Sequence, residues 1–150
     1  MYSAVVLMLL SLASAGTQAA SIAGSVKVVE GGRSLNCVGV LLIPRSPEID
    51  AAVEQQFGRL DDGVRTTITP TLAQGRQDLP QSSRTSRCGG RFAEKFAFSD
   101  VAPGEYYLTM TAVPKHRYDD GKFRPKTVEM MQRVSVAPAS SVTVDLKYSG

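Results

Sequence analysis

An all-β fold is predicted for this chain: an antiparallel sandwich of about seven short strands, with a short helix inside one long excursion between strands. Three observations predict it. Beyond position 20 the apolar residues recur at every second position, as in Ile22, Gly24, Val26 and Val28, and not at helical spacing. The runs are short and punctuated by turn residues, among them Gly31-Gly32, Pro103-Gly104 and Ala137-Pro138. The composition, with 43% hydrophobic and 21% charged residues of mixed sign in 150, fits one globular domain and leaves no room for a second of ordinary size.

The elements follow in order. Residues 1–20 carry no charged side chain, and an apolar run over 4–13 precedes small residues at Ala13-Ser14-Ala15 and again at Gln18-Ala19-Ala20. That pattern reads as a secretory signal peptide, cleaved at Ala15 or near Ala19/Ala20, because it is too short to cross a bilayer core that needs roughly 20 helical residues. The expected locations are therefore periplasmic or secreted, with a single domain over 21–150 and no transmembrane segment once the leader is removed. In such an oxidising compartment two thiols in one small domain ordinarily pair, so a Cys37–Cys88 disulfide is expected, with two buried free thiols as the alternative.

Gly31-Gly32 turns the first strand into a second, Val38-Gly39-Val40-Leu41-Leu42-Ile43, which ends at Pro44. Residues 45–87 form the excursion. Ser46-Pro47-Glu48 supplies an N-cap, a proline at the first helical position and early acidic charge, and Ile49, Val53, Phe57 and Leu60 make one apolar stripe. Asp61-Asp62-Gly63 is expected to end that helix, residues 66–70 to form a short edge strand, and residues 74–86 to be a surface loop. Strands then follow through Phe96-Ala97-Phe98, Glu105 to Val113, Thr127 to Val136 and Val142 to Tyr148, with a charged hairpin over 115–126 between two of them.

The segment Phe96-Ala97-Phe98-Ser99-Asp100-Val101-Ala102-Pro103-Gly104-Glu105-Tyr106-Tyr107-Leu108 resembles the signature of carboxypeptidase regulatory-like domains. Gly24-Ser25-Val26 with Val38-Gly39-Val40-Leu41-Leu42 resembles that family's opening strands, and Val134-Ser135-Val136 with Val142-Thr143-Val144-Asp145-Leu146 its closing pair. The resemblance implies a seven-stranded Greek-key, prealbumin-like sandwich, grouped by fold with carbohydrate-binding-like modules, and it implies no catalysis. Independently of the family, Pro103 fixes φ and Gly104 admits φ > 0, so a tight reversal is expected there, with Phe96 and Phe98 meeting Tyr106 and Leu108 across a hairpin.

The residues exclude most chemistry. One histidine, His116, precludes a histidine pair, and two cysteines preclude a four-thiolate zinc site. No nucleophile elbow, phosphate loop or dinucleotide fingerprint is present. Asp61-Asp62 and Asp119-Asp120 are neighbours on turns, where carboxylates are ordinarily solvated. Transthyretin-like hydrolases, the enzymatic relatives by fold, depend on several histidines and a Tyr-Arg-Gly-Ser tail that Tyr148-Ser149-Gly150 only echoes; they stand as the remote alternative. No catalytic residue, metal ligand or cofactor is therefore expected.

Binding remains. A net charge of +3 is too small for a nucleic-acid footprint. The 115–126 hairpin is nevertheless basic, and Lys115, His116, Arg117, Tyr118, Lys122 and Arg124 are the candidate contacts for an anionic glycan or an acidic envelope partner. Arg84, Arg87 and Arg91 form a second basic cluster near Cys88. There is no tryptophan to serve as a sugar platform, which leaves Tyr107, Tyr118 and Tyr148. The expected function is an exported, non-catalytic binding module, with a structural subunit of an envelope assembly, joined through sheet edges, as the alternative.

Overall fold

The computed structural model of the protein describes residues 19–67, 83–114 and 126–150. Gly31 (φ 59°) and Gly32 (φ 74°) make the first turn, both in the left-handed region that suits a two-residue hairpin. They join β1 (Ala20–Glu30) to β2 (Arg33–Pro44), yet the two strands pair only at Val29–Ser34 and Glu30–Arg33. Beyond that tip they part and each recruits its own neighbours.

The remaining elements are α1 (Pro47–Phe57), β3 (Asp62–Thr67), β4 (Arg84–Ser86), a 3-10 turn (Gly90–Phe92), β5 (Lys95–Val101), β6 (Gly104–Pro114), β7 (Thr127–Val136) and β8 (Ser141–Ser149). One arm of the sheet runs β3-β7-β6-β2-β4 and the other β5-β1-β8, all eight strands being continuous through the β1–β2 tip. The sheet curls so that both arms share one apolar cluster. Ile22 and Val26, Val144 and Leu146, and Phe96 and Phe98 come from the shorter arm; Val40, Leu42, Leu108, Met110, Val128 and Val134 come from the longer.

Three expectations are corrected. Eight strands, not seven, stand among the described residues, because the stretch read as loop contributes β4, which pairs with Val40–Leu42. The sheet is mixed rather than antiparallel, because β1 and β8 pair in parallel from Ser21–Ser141 to Val29–Ser149. Alternation of side chains is the same in both senses, so the pattern alone could not distinguish them. Finally, β5 and β6 are not a hairpin. β5 pairs with β1, and β6 with β2 and β7, so Ala102–Pro103 carries the chain from one arm to the other. Phe96 and Phe98 meet Leu108 through the core, not across a ladder.

Gly24 marks where this topology is tightest. It is the register partner of both Phe96 and Val144, and a Cβ there would run into the Val144 carbonyl and come within 2.8 Å of the Phe96 ring. Cys37 and Cys88 are joined in a disulfide, with Cα atoms 5.6 Å apart, both sulfur-bearing residues being buried. This ties β2 to the segment that leads into β5. No helix among the described residues is long and apolar enough to cross a membrane.

The excursion is built as its sequence suggests in its first part. The Ser46 hydroxyl accepts the Ile49 N–H at 3.2 Å, Pro47 opens the helix, and Val53, flanked by Ile49, Phe57 and Leu60, packs on Tyr107 and Met131. The helix ends earlier than Asp61, at Gly58 (φ 71°), whose N–H caps Glu54 O at 2.7 Å. Asp62 and Gly63 therefore belong to β3. The candidate edge strand over 66–70 begins before that range, and residues 68–70 lie outside the described residues.

Candidate functional site

Because one arm has five strands and the other three, the inner face of the longer arm runs past its cover. β4 and β5 close one flank: Ser86 Oγ accepts Ala97 N–H at 3.2 Å, and Arg84 Nη1 donates to Ser99 O at 2.6 Å. The opposite flank is open, and a cleft of about 480 Å³ lies there between the edges of β3 and β8.

Its floor is set by the β3–β7 register, which pairs Val64 with Met130 and Asp62 with Gln132. Directly opposed residues share a face, so all four line the same side. Met130 is buried, while Val64 at the margin is 43% exposed. Asp145, Leu146 and Lys147 of β8 form the facing wall, and Phe57, the last residue of α1, and Arg59, just beyond it, close one side. Gly63 permits that approach, since a Cβ there would lie 2.8 Å from the Phe57 Cβ.

The polar groups of the cleft are held by local bonds. Arg59 Nε and Nη2 donate to Asp61 at 3.1 and 2.9 Å, and Nη2 lies 3.4 Å from Asp62 Oδ1. The guanidinium bond, helped by backbone N–H groups, lowers the Asp61 carboxyl to about 2, so this pair stays ionised at any physiological pH. Ser25 Oγ donates to Asp145 Oδ1 at 2.8 Å across the β1–β8 pair. The cleft thus presents carboxylates, an amide, a guanidinium and an ammonium around an apolar floor. That is equipment for recognition by hydrogen bonds; it holds no nucleophile–base pair, and among the described residues no group of three or more histidine, cysteine or acidic side chains stands close enough to hold a metal.

A second polar network lies on the outer face of β6 and β7 and anchors α1. Arg45 Nε donates to both Asp50 oxygens at 2.8 and 3.0 Å, and the Tyr107 hydroxyl donates to Asp50 Oδ1 at 2.5 Å. These bonds, that of Arg45 first, hold the Asp50 carboxyl below its ordinary value, whereas burial and then the Asp50 bond push the Tyr107 phenol up. Ser135 and Arg133 hold Glu105 down in the same way. On the same sheet face the buried Glu129 meets Arg65 at 3.3 Å.

Of the residues singled out in the sequence, Lys115, His116, Arg117, Tyr118, Lys122 and Arg124 lie outside the described residues. Their hairpin is rooted at Pro114, opposite Leu35, and at Lys126, whose Nζ is 3.9 Å from Glu30 Oε1. Arg84 stacks over Phe98 at 5.7 Å and Arg91 over Phe92 at 5.1 Å, so the second basic cluster is partly spent on the fold. Tyr107 is corrected as a sugar-facing candidate, since it is fully buried beneath α1. Tyr148 is half-buried with its hydroxyl bonded to Glu30. The cleft residues Val64, Gln132, Asp145 and Lys147 carried no signal of their own, because unequal arm lengths, not a motif, bring them together.

Comparison with known proteins agrees with the architecture. No known family profile and no curated protein matches the chain. The crystal structure of a proposed carbohydrate binding protein from Pseudomonas aeruginosa matches it with a TM-score of 0.60 and 18% identity, covering 88% of this chain and 90% of that one. The likeness is one of fold.

Proposed function

We propose that the protein is an exported, non-catalytic binding module of the cell envelope or secreted fraction, and that its ligand is an anionic glycan. The observation that carries this reading is the framework itself: two arms curled round one core, matched over 88% of the chain by a protein for which carbohydrate binding has been proposed. That framework supports a carbohydrate-binding-like sandwich. The Cys37–Cys88 disulfide supports an oxidising location. The open cleft, with hydrogen-bonding groups and no catalytic set, supports recognition over turnover.

The contacts proposed for the glycan are Lys115, His116, Arg117, Tyr118, Lys122 and Arg124 on the hairpin between β6 and β7. Clustered cations with an interleaved aromatic suit carboxylated or sulfated sugars through ion pairing and ring stacking. Reversing Lys115, Arg117, Lys122 and Arg124 to glutamate is expected to weaken binding to a uronate-containing polysaccharide at least about tenfold in surface plasmon resonance, with the wild-type affinity falling as salt rises. Equal binding by the two proteins would overturn the assignment.

A further inference from the structure

The cleft is bordered by a strand edge to which no strand among the described residues is paired. β8 pairs with β1 along its whole length, without a register shift, and with no other strand among the described residues. The strand contains no proline and no bulge, and the charged residues that guard it, Asp145 and Lys147, are of opposite sign. Facing it, Val64 is left 43% exposed although its register partner Met130 belongs to the core cluster. One more strand beside β8 would extend the shorter arm and cover that valine.

We propose that this strand is β8 of a second copy of the chain, running antiparallel about a two-fold axis at Leu146. Symmetry and charge select the register. A two-fold axis perpendicular to the sheet places outward-facing residues opposite outward-facing residues, so it passes through a residue rather than between two. An axis at Asp145 would set carboxylate against carboxylate, and one at Lys147 ammonium against ammonium, both repulsive. At Leu146 the exposed Asp145 of each copy faces the partner's Lys147, and Thr143 faces the partner's Ser149. Leu146 itself stays in the core of its own subunit, so the pairing is carried by the backbone and the exposed face. Asp145 is exposed, and its 2.8 Å bond from Ser25 of β1 engages Oδ1. The occupant is thus self-complementary in pattern, charge and length, and the pairing stands whatever the basic hairpin binds.

Sedimentation velocity over a range of concentrations tests this. A reversible dimer is expected. Asp145→Lys and Lys147→Asp each convert two attractive cross-strand pairs into repulsive ones and are expected to raise the dissociation constant about tenfold, while the double swap returns it to within about threefold of wild type. Lys147→Asp removes no bond within the subunit, and unchanged far-UV circular dichroism separates loss of pairing from loss of fold. A monomer at every concentration, a dimer indifferent to both single reversals, or a double swap that fails to restore association would each overturn the proposal.

Discussion

Tyr107 illustrates how a single residue changes meaning between sequence and fold. Alternation along β6 assigns it to the face opposite Leu108 and Met110, which is correct, and an outward tyrosine in a strand invites the reading of a binding platform. What alternation cannot convey is that α1 covers that face, so that the ring fills the second apolar cluster and the hydroxyl serves Asp50. Tyr107→Phe is expected to cost about 1–2 kcal/mol of unfolding free energy at neutral pH, read from urea titrations, because a part-buried bond to a carboxylate is lost. The sign of its pH dependence follows from the two shifts. Asp50 is lowered, so its contribution is complete above its ordinary 3.8 and is lost as pH falls through the depressed value; the difference between the two proteins shrinks in acid. Tyr107 is raised, so wild type holds its contribution below its ordinary 10.0 and loses it as pH rises toward the elevated value. A difference that stays constant into acid would refute this assignment.

Among the elements, legibility tracked how local each determinant is. The helix was readable because its cap, its proline and its stripe all lie within fifteen residues; β7 was readable from its own alternation. β4, three residues long and mostly polar, was not, since its pairing with β2 depends on where the chain returns after Arg84. The Pro103-Gly104 reversal was correctly placed but wrongly interpreted, because a turn signal specifies a change of direction and says nothing of which strand will be the partner. Gly24 belongs to this scale. It reads as an interior strand glycine, ordinarily a weakness, but three strands pass so close that no side chain fits. Gly24→Ala is expected to destabilise the protein by about 2–3 kcal/mol through displacement of β8 or Phe96, seen as a lower urea midpoint. A midpoint within error of wild type would mean that the strands yield freely.

At the scale of the whole molecule, the fold class followed from period-two patterning, and the disulfide from cysteine count and the expected compartment. The open cleft did not, because it arises from the mismatch between a five-stranded and a three-stranded arm, a property of topology that no window of residues contains. The disulfide closes a separation of 51 residues that spans the helix, β3 and β4. Loop-closure entropy for a ring of this size is worth about 4 kcal/mol. Cys37→Ser/Cys88→Ser is accordingly expected to lower the unfolding free energy by about that amount, and adding a reductant to wild type to bring the two urea curves together; curves that coincide before reduction would show the bond to be dispensable.

The parallel pairing of the first and last strands has a practical corollary. Ser21 lies beside Ser141, whereas the backbone of Gly150 is bonded to Val29 and Gly31 at the opposite pole, near Glu30 and the root of the 115–126 hairpin at Lys126. Anything fused or tethered ahead of Ala20 holds the module by the pole opposite Glu30 and Lys126, where the cationic segment is rooted. A tag appended after Gly150 would sit beside that root, so immobilisation through the front of the chain is the orientation in which ligand capture should be measured.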